Sequence, residues 1–160
     1  MLGEMREQGE NRMDLVFNVT ADWSGVGNAG QGTMHIGTDN YVYSAPANMG
    51  GKGVGASPED FLIAAVTACY SGTLMRVLGQ KRLPADSLTI QTAGTVEEFP
   101  EKARFARITV NPTIKGGDPS QREEYERAAE EARERCFIGK AVRDYLRYEV
   151  GTVTIDSADS

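Results

Sequence analysis

Cys69 and Cys136 are the residues whose type and setting could do chemistry, and they are the only cysteines in the chain. Cys69 lies inside PEDFLIAAVTACYSGTLMRVLG, a run that is almost wholly apolar. Cys136 closes a second, densely charged stretch, and FIGKAV follows it at once. If folding brings the two together, they form a dithiol that can cycle through a disulfide. The thiolate is the nucleophile in that chemistry, so each cysteine must be judged by what favours its charged form. Spacing alone leaves the alternative open that both are small buried core residues.

The elements that would position them can be read from pattern. Ser57-Pro58-Glu59-Asp60 is a helix start: an N-cap serine, proline at the first helical position, and acids in the first turn. The helix is expected from Pro58 to about Leu78, with Gly79 as its stop. It is apolar nearly all round, so it must be covered on most sides. A second helix is expected from Asp118-Pro119 to about Arg135. On it Tyr125, Ala128, Ala129, Ala132 and Cys136 share one apolar stripe, and Arg and Glu fill the rest. Cys136 should therefore point into the core, just before a third helix at 138–146 whose backbone N–H groups would favour a Cys136 thiolate.

Strands are expected at 13–23, 32–37, 40–46, 87–98, 103–114 and 147–156. The turns between them are Thr38-Asp39 and Phe99-Pro100-Glu101-Lys102, and a Gly-rich loop spans 47–57. Residues 1–12 read as a flexible tail and 13–160 as one domain. Strands and helices are grouped without regular βαβ alternation, so the fold class is α+β.

Composition narrows the function. A net charge of −6 and a pI near 4.9 speak against a nucleic-acid partner. The polar start MLGEMREQGENR does not read as a signal peptide, and polar residues such as Glu59, Asp60 and Arg76 make the long apolar run a core helix rather than a membrane span. A cytoplasmic protein is expected, in a compartment where a disulfide is more often catalytic than structural.

Other motifs yield little. With one histidine, His35, and no C-x-x-C, there is no zinc pattern, and a Cys–His nucleophile pair would depend on His35 alone. Gly25-x-Gly27-x-x-Gly30 matches the dinucleotide fingerprint, but a strand-like GTMHIG follows where a helix is required. A hairpin loop explains it better. Glu59 precedes Cys69 by ten residues, about 15 Å along a helix at ~1.5 Å per residue and roughly 80° around it. The two cannot touch within one straight helix. Cooperation would need a bend, a relay residue, or an antiparallel helix from a second subunit.

SPEDFLIAAVTACYSG resembles the central-helix motif of the OsmC/Ohr family (osmotically inducible protein C and organic hydroperoxide resistance proteins), and RCFIGKAV resembles its second-cysteine motif. The element order over about 13–156 is similar too. The resemblance implies an OsmC-like fold, with antiparallel sheets wrapped around long central helices in an intertwined homodimer. It implies a peroxidase that reduces organic hydroperoxides without a cofactor. Cys69 would be the peroxidatic thiolate, Cys136 the resolving thiol, and Glu59 a group that orients a cationic partner. A dithiol, commonly a lipoyl group on a partner protein, would reduce the Cys69–Cys136 disulfide. Two positions depart from the family pattern. Phe137 stands where a proline usually follows the second cysteine, and residues 13–58 hold no arginine to pair with Glu59. Lys52 and Arg76 are the substitute cations. The second function consistent with these departures is an OsmC-like dimer without efficient turnover that binds a small apolar ligand or senses oxidants.

Overall fold

The computed structural model describes residues 12–158, so most of the tail expected at 1–12 lies outside the described residues. The chain forms two compact units, divided between Ala56 and Ser57.

The first unit is a three-stranded antiparallel meander: β1 (Thr20–Ser24), β2 (Gln31–Ile36) and β3 (Asp39–Tyr43). Ile36 pairs with Asp39, so the turn is Gly37-Thr38, one residue earlier than expected, with Gly37 at φ 60°. The first strand begins at Thr20, not at residue 13, because Thr20 pairs with His35 and β2 ends one residue later. Residues before Thr20 have no ladder to join there, and Leu15, Val16 and Phe17 are exposed. The Gly25–Gly30 segment links β1 to β2 as a hairpin loop. The Trp23 indole N–H donates to the Gly25 carbonyl (2.9 Å), and a Cβ on Gly30 would lie 2.2 Å from the Trp23 ring. Packing under an indole explains that glycine.

The second unit carries both cysteines. Helix α1 (Pro58–Gln80) starts with a full capping box between Ser57 and Asp60. It runs past Gly79. Arg82, at φ 56°, takes the left-handed position instead, while the Leu83 N–H reaches the Leu78 carbonyl (2.9 Å) and the Arg82 N–H the Gly79 carbonyl (3.1 Å). Strands β4 (Ser87–Glu97) and β5 (Arg104–Gly117) form a long antiparallel pair joined across 98–103. Ile108, Val110 and Ile114 of β5 are fully buried, each contributing about 1.5–3 kcal/mol. Helix α2 (Arg122–Arg135) follows a short 3-10 turn at Pro119–Gln121, and Tyr125, Ala128, Ala129 and Ala132 form its buried stripe as expected. Helix α3 is shorter than expected, Phe137–Val142.

The last strand is two strands, β6 (Arg147–Val150) and β7 (Thr154–Ser157), both parallel to β5. Pro112 explains the break. It sits on β5 between the two paired stretches and has no N–H to donate. Beside it the chain bends away: the Gly151 N–H goes to the Val110 carbonyl (2.9 Å) and the Thr152 N–H to the Asn111 side-chain oxygen (2.8 Å).

Helix α1 is long and apolar enough to cross a membrane by length and composition. In this unit Val66, Tyr70, Leu74, Val77 and Leu78 instead bury one face in the core. The opposite face, with Ala64, Ala65, Ala68 and Gly72, is exposed.

Two predictions test this architecture. Tyr125 is fully buried; its hydroxyl donates to the Pro84 carbonyl (2.6 Å) and accepts from the Asp118 N–H (3.0 Å). Tyr125→Phe strands both backbone groups and should cost about 1–3 kcal/mol in denaturant unfolding. His35 binds Asp22 (3.0 Å) and Asn40 through its two ring nitrogens, and these acceptors, Asp22 first, raise its pKa above 6.5. The single histidine resonance should titrate above that value, and Asp22→Asn should lower the midpoint. The raised folded pKa makes this latch strongest below the unfolded value and lost as pH rises through the folded one.

Candidate active site

The junction of α2 and α3 builds the site. Cys136 is the last residue of the α2 stripe and also the residue that caps α3, with φ −59° and ψ 113°. That single extended residue lets one helix end and another begin at once. Its side chain follows the stripe inward, and the residue is fully buried. The sulfur lies 4.0 Å from the Val66 carbonyl of α1. Cys69, one turn further along α1, is partly exposed, and it lies close enough to Cys136 for each thiol to act on the other's ionisation. Residues 67 positions apart in sequence are thus brought together as free thiols.

The two sulfurs have opposite surroundings. Partial burial pushes the Cys69 thiol up, but the nearby Ile138 N–H, the Cys136 thiol and the Phe137 N–H outweigh it, while the Thr73 hydroxyl donates its proton to the Cys69 carbonyl (2.8 Å). Cys69 lies below the ordinary thiol value. For Cys136 burial dominates and raises the thiol, opposed by the Tyr148 hydroxyl and the Gly139 N–H and reinforced by Cys69. The expectation that the start of α3 would favour a Cys136 thiolate is therefore corrected. The first two N–H groups of α3 turn to Cys69, because the Cys136 side chain points back along α2, and only the third, Gly139, serves Cys136. Cys69 is the thiol disposed to ionise, and Cys136 the one disposed to keep its proton and donate it.

The other expected residues fall as follows. Glu59 stands in the first turn of a continuous α1, so it does not reach Cys69 within this unit. Its Oε1 is buried and has no hydrogen-bond partner among the described residues. Arg76 is exposed and is not among the groups that lower the Cys69 pKa. Lys52 belongs to the first unit, where it donates to the Gln31 side-chain oxygen (3.1 Å). Both ring nitrogens of His35 are engaged by Asp22 and Asn40. No group of three or more metal-ligating residues occurs among the described residues. Sequence reasoning missed the Phe137 and Ile138 backbone N–H groups that favour the Cys69 thiolate. Of these, only Phe137 left a signal, as a residue with an N–H where proline would have none.

Phe137→Pro tests the backbone donor directly. Proline suits the first helical position, and the extended Cys136 suits a following proline, so the fold should persist. Loss of one charge-stabilising donor should raise the Cys69 pKa and shrink its thiolate fraction at pH 7. Iodoacetamide labelling of Cys69, followed by mass mapping, should slow several-fold at that pH and recover at high pH.

Comparison with known proteins bears on the fold and the family. A family model described as OsmC-like protein matches residues 50–150. An uncharacterized Bacillus subtilis protein, YmaD, is 25% identical over 140 residues, which is 86% of this chain and 93% of that one. An organic hydroperoxide resistance protein OsmC from Legionella pneumophila superposes with a TM-score of 0.68 at 20% identity, covering 88% of this chain and 99% of the other. The organic hydroperoxide resistance protein OhrB of Bacillus subtilis superposes with a TM-score of 0.60 at 22% identity, covering 86% and 98%. The α+β fold is the one these structures share, and the chain belongs to the OsmC-like protein family.

Proposed function

We propose that this chain is a thiol-dependent peroxidase that reduces organic hydroperoxides. One observation carries the reading: two free thiols packed in one cluster, the partly exposed one favoured as a thiolate and the buried one favoured in its protonated form. The Cys69 thiolate attacks the distal peroxide oxygen; the O–O bond breaks, Cys69 becomes a sulfenic acid, and the alkoxide takes a proton to leave as the alcohol. Cys136 then attacks the sulfenic sulfur. The S–S bond forms, the S–O bond breaks, and the hydroxide leaves as water with the Cys136 proton. A dithiol, such as a lipoylated protein, reduces the disulfide by two exchanges. The names of the hydroperoxide resistance proteins that share the fold support this choice of substrate.

The working form is a homodimer, and the region from residue 13 onward acts as one domain in it. The exposed Ala64, Ala65, Ala68 and Gly72 face of α1 suits close approach of a second helix. The unpartnered Glu59 oxygen is where a donor from a second copy would be stabilising. A cytoplasmic setting would keep both thiols reduced between turnovers. Glu59 serves as the orienting carboxylate of this site.

A second reading, in which the dimer senses oxidants or binds a small apolar ligand without efficient turnover, is favoured by the lack of arginine in residues 13–58. One experiment separates the two. Reduced protein with dithiothreitol should consume cumene hydroperoxide, and one equivalent without reductant should yield a Cys69–Cys136 disulfide by mass mapping. Cys69→Ser should reduce consumption to the uncatalysed background. Thiols that stay inert at neutral pH would overturn the peroxidase reading.

A further inference from the structure

We propose that the exposed face of α3, running on through Tyr145 to Arg147, docks an acidic protein that carries the reducing dithiol to Cys69. The proposal deepens the dithiol cycle and rests on it. Helical bonding does not end with α3: the Arg143 N–H reaches the Gly139 carbonyl (2.9 Å) and the Leu146 N–H the Val142 carbonyl (3.1 Å). One helical face therefore holds from Phe137 to Tyr145. Phe137, Lys140, Ala141, Asp144 and Tyr145 share it at three- and four-residue spacing, and all are exposed. The opposite side is anchored. Ile138 and Val142 pack with Cys69 against one core cluster, and a Cβ on Gly139 would lie 3.3 Å from the Cys136 Cβ. The exposed face thus lies on the element that Cys136 begins, packed beside Cys69.

Charge and apolar area give this face the chemistry of its partner. Lys140, Arg143 and Arg147 lie within residues 137–147, with Asp144 as the sole acid. Neither Lys140 nor Arg143 has an ion-pair partner among the described residues. Arg147 stands beside Arg107 of β5, and one carboxylate, Glu149, serves the Nε atoms of both (3.3 and 3.8 Å). Four cations thus face two carboxylates, on a chain whose net charge is −6. An acidic protein is repelled by the chain as a whole and attracted here, which turns its approach toward Cys69. The apolar part flanks the cations: Phe137 is 77% exposed and Tyr145 81%. Phe99, in the β4–β5 turn, is the other large apolar side chain exposed among the described residues of the second unit. Two aromatic side chains beside a set of cations supply the desolvated contact that steering alone lacks.

Docking matters because reduction takes two exchanges. Cys69 is partly exposed and Cys136 fully buried, so a carrier thiolate meets the Cys69 sulfur. The S–S bond breaks, a mixed disulfide forms at Cys69, and Cys136 leaves as a thiolate and takes a proton. The second carrier thiol, as its thiolate, then attacks the carrier sulfur of that mixed disulfide. The bond to Cys69 breaks, Cys69 leaves as a thiolate, and the carrier departs as a disulfide. Two electrons pass from carrier to protein, and the two carrier protons go to Cys136 and to Cys69 or solvent. A carrier held on α3 brings its first thiol to Cys69 at high effective concentration.

The test uses the full chain, with its Cys69–Cys136 disulfide closed by diamide rather than by peroxide. The probes are two synthetic dithiol peptides of Cys-x-x-Cys type, one flanked by glutamates and the other by glutamines. Each rate of disulfide reduction is divided by the same peptide's rate with hydroxyethyl disulfide, which removes the intrinsic difference between the thiols. The glutamate peptide should then reduce the wild type about 10-fold faster than the glutamine peptide at ~20 mM salt, and lose most of that advantage at ~0.5 M. Lys140→Glu with Arg147→Glu should bring the ratio to about one or below. Arg127→Glu, on α2 outside this face, should leave the ratio in place. Tyr145→Ser should raise the glutamate-peptide concentration for half-maximal rate about 3-fold. A wild-type ratio near one, or a ratio that survives the double charge reversal, would overturn the proposal. So would a double reversal that splits the protein into monomers in sedimentation, which would give the face to a second copy. A pair that diamide cannot join would end the cycle and the proposal together. Thiols that diamide joins but peroxide does not touch would defeat the peroxidase reading alone, and the peptide ratio would still decide what α3 docks.

Discussion

The site depends on one backbone event, the turn at Cys136. A helix that continued unbroken through this position would spend the N–H groups of residues 137–139 on its own carbonyls. Because Cys136 is extended, those groups begin a new helix and are left without intrahelical partners. Two of them serve the Cys69 sulfur and one serves Cys136. The same residue supplies the buried thiol, so the break that activates one sulfur also delivers the other. The junction is held by the α2 stripe beneath it, where Tyr125, Ala128, Ala129 and Ala132 are fully buried, and by the Tyr70 hydroxyl bonded to the Ala129 carbonyl. The small alanines let α2 approach α1 closely enough for the sulfurs to meet.

Much of this was legible in the residues. Ser57-Pro58 marks the start of α1, and the three- and four-residue spacing of the α2 stripe is enough to place Cys136 in the core. What escaped depended on how elements meet. The split of the last strand is written in Pro112, forty residues earlier, and shows only once β5 is known to pair with that segment. The helix stop moved from Gly79 to Arg82 because the Schellman bonds and the burial of Leu83 outweigh the cost of a left-handed arginine. The direction of the α3 donors could not be read either. Sequence shows that a helix begins after Cys136, but not which sulfur its N–H groups face.

Burial does the sorting between the thiols. Both are in reach of hydrogen-bond donors, yet only Cys69 is exposed enough for those donors to outweigh desolvation. Cys136 stays above the ordinary thiol value, because none of its surface meets water and the neighbouring Cys69 adds to the effect of burial. Peroxide and reductant therefore have one accessible sulfur to meet, and in the proposed cycle it is the same one for both. The buried sulfur is reserved for exchange with its neighbour.

This arrangement bears on the two departures from the family pattern. A side-chain cation near a thiol acts through a charge whose strength falls with salt and with the mobility of a long side chain. Backbone N–H groups carry only partial charges, but their positions come with the fold and cost no side-chain entropy at the moment of reaction. Proline after the second cysteine would delete one of these donors; phenylalanine supplies it. The loss of an arginine from residues 13–58 and the gain of an N–H at 137 thus act on the same quantity, the stability of the Cys69 thiolate, in opposite directions. Alone, the first argues against a reactive cysteine and the second is invisible. Together, they describe a Cys69 thiol whose ionisation is favoured by main-chain N–H groups, with one buried Glu59 oxygen left without a hydrogen-bond partner among the described residues.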